Sequence, residues 1–432
     1  MRKISANSES FYIFIVTLFF PFIGLILSLY YWQKSWAKNI FWFVCTYTGV
    51  IFIYAPDGQL LGSGIDAGRY VLTLMNMYYD PNITLSSILS LYQIDTNHMD
   101  LYQQIITYFV SRITDNGHVL FTVFAFIFGF FYSRNMWYIF EKLPQRGLGV
   151  LYVLFGLYLL VCPITQINGV RMWTALHVFV YALLPYLVEN DKSRLWLLIL
   201  TPFIHFSYLY VIIFAFTYVL IPYKWKTNNM IFIYFAIIIY VISLFVNTLS
   251  LDAVSSTMAE LSPESYEERI DMYVNEDYAD RINEAKSKNN WYIAASTNIS
   301  NWCYSIILVL LLPTIRKYFR QDRSIINLYV FTLLIGTFAN IISLIPSGGR
   351  FLILSTMFKI PIISLVVSNI PKYEKIYKTT KIMCLILMLP LIVNIRKIFD
   401  FYGITILFGN FMTAFFWESN VPLITFIKSL FF

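Results

Sequence analysis

Apolar residues run along this chain in blocks of about the same length, separated by short polar joints, from Phe11 almost to the end. About 20 apolar residues in a helix cross the ~30 Å hydrocarbon layer of a bilayer. By that measure the candidate spans are 11–31, 37–55, 119–140, 148–166, 168–188, 195–204, 205–222, 228–248, 298–315, 324–345, 351–369 and 381–396. The stretch 195–222 reads in two ways. Its 28 residues carry Pro202 and His205 near the middle, so it is either one long tilted helix or two short half-spans. Two longer segments break the pattern. In 56–118, the stretches 66–79 and 86–113 place apolar residues at helical spacing among many tyrosines, which predicts helices lying on or dipping into a membrane surface. In 249–297, Ser262 and Pro263 look like a helix N-cap and first position. Glu264, Glu267 and Glu268 follow where a helix dipole favours acid, and Tyr266, Ile270, Tyr273 and Val274 form one apolar face. The tail after Asp400 is apolar but broken by Gly403, Gly409 and Pro422, and reads as one more span or a re-entrant segment. The expected fold class is an all-α integral membrane protein, a single polytopic domain over 1–432 with about eleven or twelve transmembrane or re-entrant helices.

Composition agrees. The 432 residues are 58% hydrophobic and 13% charged, against roughly 45–50% and 25% in soluble domains. Aromatics make up 19%, which suits a protein with two lipid–water interfaces to line. The net charge of +7 forms no basic stripe free of apolar runs, so it does not point to nucleic acid. Cys45, Cys162, Cys303 and Cys384 lie in or beside apolar runs without a CxxC, which indicates neither zinc nor a disulfide framework. Arg2 and Lys3 precede an apolar stretch too long for a signal-peptide core, so 11–31 is expected as a retained first span.

Charge then orients the spans. Basic loops cluster at Lys142/Arg146, Lys192/Arg194, Lys224/Lys226, Arg316/Lys317/Arg320/Arg323 and Lys372/Lys375/Lys378/Lys381, and such loops stay cytoplasmic. All five share one side only if 195–222 crosses twice or dips in and returns, which favours the broken arrangement. The outer face then receives 56–118, 163–170, 249–297 and 346–350. Loop 249–297 holds ten acidic residues against four basic ones, as an outer loop should. The same count, with 11–31 as one crossing, puts the N-terminus outside.

Four charged positions fall where a bilayer tolerates charge poorly. Arg171 sits one turn into an apolar helix, in Ile167-Asn168-Gly169-Val170-Arg171. It is either a snorkelling interface arginine or an anion clamp whose planar fork bonds two diphosphate oxygens. His205 falls at the break of 195–222, as a satisfied core group or as a base or phosphate donor lining a cavity. Asp66, flanked by Gly64 and Gly68, is either a helix-capping partner of Arg69 or a carboxylate that binds or deprotonates a sugar hydroxyl. Arg350 follows Ser347-Gly348-Gly349, as an interface anchor or as a second diphosphate ligand. Tyr266, Tyr273 and Trp291 either pack within the acidic loop or stack on sugars. No DxD, P-loop, GxSxG or HExxH is present. A metal-free transfer from a lipid diphosphate stays open, and it needs positive charge on the leaving group and a base for the incoming hydroxyl.

In this order the motifs resemble the EpsG-like branch of the Wzy-type polysaccharide polymerases. Gly-x-Asp-x-x-x-Tyr is matched by Gly64, Asp66 and Tyr70, and Asn-x-x-Arg-x-x-x-Ala by Asn168, Arg171 and Ala175. His-x-Ser is matched by His205 and Ser207, and a late Arg-aromatic pair by Arg350 and Phe351. An arginine that relatives carry just before the first motif is missing from Asp57-Gly58-Gln59-Leu60-Leu61, so its contact is absent or taken over by Arg69.

The resemblance implies a multi-span glycosyltransferase of the GT-C kind in the bacterial cytoplasmic membrane, working at the outer face without a cofactor. It joins O-antigen, capsule or exopolysaccharide repeat units carried on undecaprenyl diphosphate, as donor and acceptor, within the membrane lipid. A chain-length regulator is an open partner. Asp66, His205 and Arg171 would be catalytic. Arg69, Tyr70, Asn168, Ser207 and Arg350 would bind substrate. The base is either Asp66 or His205. A lipid-linked glycan ligase needs the same clamp. A transporter or flippase would show inverted repeats, and none is evident. A membrane acyltransferase would need cytoplasmic access.

Overall fold

The computed structural model describes residues 6–54, 66–94, 100–144, 149–246, 280, 284, 290–414 and 421–431. In them the chain is helical without strands, an all-α polytopic membrane protein. The helices in chain order are α1 (Ala6–Phe19), α2 (Pro21–Tyr30), α3 (Ala37–Val50), α4 (Asp66–Tyr79), α5 (Leu85–Ile94), α6 (Leu101–Ser111) and α7 (Gly117–Phe140). There follow α8 (Val150–Val161), a 3₁₀ turn (Ile164–Gly169), α9 (Val170–Glu189), a second 3₁₀ segment (Leu195–Leu200), α10 (Thr201–Ile204), α11 (Tyr208–Leu220), α12 (Tyr223–Asn228) and α13 (Met230–Ser243). The last long helices are α14 (Trp291–Tyr318), α15 (Arg323–Ile342), α16 (Arg350–Ser368) and α17 (Lys375–Ile398). Among the described residues, six helical stretches are long and apolar enough to cross a membrane, the one over Val150–Glu189 running through its 3₁₀ turn, and five shorter apolar helices join them.

The bundle has two ends with different chemistry. At one, Lys142 at the end of α7 pairs with Glu189 at the end of α9. Lys38 meets Glu141 at 3.3 Å and Lys317 meets Glu374 at 2.7 Å. The Lys317 ammonium, with the Tyr318 hydroxyl, holds the half-buried Glu374 carboxyl below its usual range. Asn327, in the first turns of α15, donates to the Leu187 carbonyl of α9 and accepts from the Tyr218 hydroxyl of α11, fixing three helices at this basic end. The opposite end gathers the starts of α7, α9, α14 and α16.

Between the ends lies an aromatic core. Phe121, Phe124 and Phe128 on α7 are fully buried, and α3 packs along α7. Two glycines permit that approach. A Cβ at Gly49 would run into the Phe121 carbonyl, and one at Gly129 would lie 2.6 Å from Cys45 Cβ. Small residues at such seams let membrane helices pack backbone to backbone. All four cysteines are free and buried.

The structure revises two expectations and narrows a third. The stretch 11–31 is a helical hairpin. Pro21 opens α2, and Glu9 on α1 pairs at 3.1 Å with Lys34 and accepts from the Trp36 indole, so the start of α1 and the chain beyond α2 share one end. A continuous helix, rising 1.5 Å per residue, would hold those groups far apart. Lys38 links that end to Glu141. Residue Ala6 therefore starts on the side of the basic loops, and the expected placement opposite them does not hold. The stretch 86–113 is two helices, α5 and α6, with Asp100 at the N-cap of the second. Among its described residues the tail, expected as one more span or a re-entrant segment, forms short helices, Thr405–Phe408, Phe411–Ala414 and Leu423–Phe431, none of crossing length, with the Tyr47 hydroxyl of α3 donating to the Thr405 carbonyl. The stretch 195–222 is split as its basic flanks demand. The chain rises through the second 3₁₀ segment and α10, turns at His205–Ser207 and descends as α11. Gly64, the body of loop 249–297 and its expected helix at Ser262 lie outside the described residues, while Trp291 opens α14 as an exposed ring.

Candidate active site

Arg171 occupies the second position of α9. The positive end of a helix dipole is a poor place for a cation, so another group must offset it. That group is Asp100. Its Oδ2 accepts from Arg171 Nη1 at 2.9 Å. The carboxylate is almost wholly buried, its side chain 2% exposed, while the arginine side chain keeps 27% exposure. An N-cap aspartate ordinarily accepts from its own helix's first amides, but this one makes no capping bond. Its second oxygen accepts instead from the Phe206 backbone N–H at 2.9 Å. One carboxylate thus ties together the start of α6, the start of α9 and the tip of the 195–220 hairpin. The hairpin tip would otherwise bury an unpaired amide, a cost of about 1–3 kcal/mol.

Tyr70, buried on α4, completes the setting. Its hydroxyl accepts from Arg171 Nε at 3.3 Å, and its ring lies 5.7 Å from the guanidinium carbon. Of the five N–H donors of Arg171, one on Nε and one on Nη1 are engaged among the described residues, which leaves three without a described partner. Asn168 accepts from the Ala67 amide at 3.3 Å, docking α4 onto the 3₁₀ turn that precedes Arg171.

At the hairpin tip His205 is buried, and its Nδ1 lies 2.8 Å from Ser207 Oγ and 3.3 Å from the Ser207 amide. An amide can only donate, so Nδ1 is an acceptor and the neutral ring carries its proton on Nε2. Ser207 Oγ also approaches Met172 Sδ at 3.8 Å, one residue beyond Arg171. Tyr208 follows directly, and its ring lies 6.4 Å from that of Phe351, the neighbour of Arg350. Arg350 is exposed at the first position of α16 and makes no side-chain hydrogen bond or ion pair among the described residues. Asp66 and Arg69 pair with each other in the first turn of α4, and the Asp66 carboxylate acts electrostatically on both Tyr70 and Arg171.

The structure therefore brings Tyr70, Arg171, His205 and Ser207 into one cluster, with Asp66, Arg69 and Asn168 at its edge and Arg350 beside the hairpin. Tyr70 and Asn168 face protein partners: the first supports the guanidinium, the second the loop. Sequence reasoning missed Asp100. Its signal is present but indirect: a lone acid ahead of an amphipathic helix reads as a cap, and only the need to offset a membrane arginine makes it more. His177, two turns below Arg171, is a structural group, held by Asn135 and by the Cys162 carbonyl at 3.0 Å from Nε2.

No curated protein and no solved structure matches the chain. A family profile described as the EpsG family matches residues 58–407, from just before α4 to the tail and across every side chain of the cluster. A match over most of the chain, on a helical membrane protein whose motif residues converge, decides the matter: the chain belongs to the EpsG family, and its role is that of a membrane polysaccharide polymerase, a glycosyltransferase-type activity.

Proposed function

We propose that this protein polymerises oligosaccharide repeat units carried on undecaprenyl diphosphate, acting at the outer face of the bacterial cytoplasmic membrane. The observation that carries the reading is the Tyr70–Asp100–Arg171–Phe206 network, which fixes a partly exposed guanidinium with three donors left without a described partner. Arg171 and Arg350 hold the donor diphosphate. The acceptor hydroxyl oxygen attacks the donor's anomeric carbon, the carbon–oxygen bond to phosphate breaks, and the diphosphate leaves with the electron pair. The two arginines stabilise that developing charge, as fixed donors do in a water-poor site. His205, with Nδ1 bound by Ser207, presents its Nε2 proton to the diphosphate. Asp66 takes the acceptor's proton. Asp100 is engaged on both oxygens, which leaves Asp66 as the more exposed carboxylate of the cluster. Arg69, paired with Asp66, keeps the carboxylate in place.

The test is direct. Purified protein in lipid vesicles receives lipid-diphosphate-linked repeat units, and the products are resolved by size. A ladder of lengthened glycans on lipid is the expected result. Movement of label across the vesicle wall with no lengthening would overturn the reading.

A further inference from the structure

The 3₁₀ turn Ile164–Gly169 has a second side. Through Thr165 and Gln166, and without Arg171, it borders a cavity of 280 Å³ between the site-end turns of α8, α14, α16 and α17. That volume sits at the lower edge of the roughly 300–1,000 Å³ usual for small-molecule sites, so it admits a sugar ring rather than a chain. Its lining is rich in polar groups with no protein partner. Gln166 from the turn, Asn301 from α14 and Asn394 from α17 make no side-chain hydrogen bond among the described residues. Neither do the hydroxyls of Thr165 and Ser296, though these residues are 6% and 3% exposed. Buried polar groups are almost always hydrogen-bonded, so unused ones gathered on an opening indicate a polar occupant. Amides and hydroxyls both donate and accept, as the hydroxyls of a sugar do.

Charge and position narrow the occupant. Asp400 lines the cavity beside Lys397 and is held by Arg396 at 2.7 Å. A carboxylate on the wall is a poor neighbour for a diphosphate, whereas amides, hydroxyls and one acid serve the hydroxyls of a neutral polyol. Phe401 and Tyr304 supply apolar surface for a ring face. Gly349, next to Arg350, stands on the rim with open space where a side chain would be. The cavity thus adjoins the clamp on two sides, through the turn and through the start of α16. We infer that it seats the terminal, non-reducing sugar of the acceptor, an assignment that rests on the polymerase reading. Near the reacting centre the donor sugar is chained to the grown glycan, while the acceptor's terminal sugar has a free end to bury.

The probe is the repeat unit released from its lipid diphosphate and capped as a benzyl glycoside, which can accept but cannot donate. Full-length protein carrying Asn301→Ala and Asn394→Ala is compared with the unaltered chain for KM and kcat toward this acceptor at saturating lipid-linked donor. Direct binding of the probe is followed by saturation-transfer NMR. KM is expected to rise roughly tenfold with kcat nearly unchanged, the loss of two hydrogen bonds, and the transfer signal to fade in parallel. An unchanged KM and unchanged signal overturn the assignment while leaving the polymerase reading intact. If the unaltered chain binds the probe, loses that binding in the double variant, yet elongates nothing, the sugar seat stands and the polymerase reading falls. Gln166→Ala, on the turn itself, is read by the same criteria should the double variant fail to fold.

Discussion

Two hairpins dip into this bundle from the basic end and return to it, and they differ in what their tips meet. The first, α1–α2, turns at Phe20–Pro21, and its tip rings are exposed, Phe19 at 42% and Phe20 at 58%. The second, over 195–220, turns at His205–Ser207, buried, with a backbone amide given to Asp100 and a histidine nitrogen held by a serine. A break in a membrane helix frees backbone groups that need partners. Proline and a following helix satisfy that need locally in the first hairpin. In the second, the need is met by a carboxylate that also fixes Arg171. A re-entrant turn is thus no site in itself; it becomes one where the partner of the freed amide carries charge.

The comparison can be broken at its strongest point first. Arg171→Lys is expected to cut glycan elongation by roughly 100-fold or more, because a point charge cannot hold Tyr70, Asp100 and an anion at once. Size-resolved products from vesicles report it, and a normal ladder would show that no bidentate arginine is needed. Asp100→Ala comes next. It leaves Arg171 and the Phe206 amide without their acceptor, and about 3 kcal/mol of stability should disappear, read as a lowered unfolding midpoint in detergent. An unaltered midpoint would mean that the hairpin tip is anchored elsewhere. Ser207→Ala removes one bond to His205 while keeping the backbone amide, and a loss of about fivefold in elongation rate is expected. At the quiet end, Phe20→Ala at the first hairpin's tip should leave the rate within about twofold of normal. A collapse of activity there would erase the distinction between the two tips.

Much of this contrast was legible in the residues. His205 and Pro202 interrupt an apolar run whose two flanks, Lys192/Arg194 and Lys224/Lys226, are both basic, and matching flanks require an even number of crossings. The same logic applied to Arg2/Lys3 and Lys34/Lys38 calls for a hairpin over 11–31, with Pro21 marking the turn. Uninterrupted hydrophobicity hid it, since the break there holds no polar side chain. Asp66, Tyr70, Arg171, His205 and Ser207 were visible as polar punctuation in apolar sequence. Asp100 was not, because its meaning lies in a pairing across 71 positions, and nothing local separates a capping aspartate from one turned toward another helix. The cavity beside Gln166 was hidden for a related reason. Its walls come from four helices and a 3₁₀ turn far apart in sequence, with one ordinary amide each from the turn, α14 and α17.

Because each hairpin enters and leaves at the same end, neither changes the parity of the chain's crossings. The helices between and after them keep their alternating directions whether or not a hairpin inserts. The threading of the scaffold and the geometry of the site are thereby independent constraints. The bond from the Phe206 amide to Asp100 fixes the 195–220 hairpin in the bundle without deciding which side any loop occupies. A hairpin that failed to dock would leave a correctly threaded but idle enzyme, with every loop on its proper side.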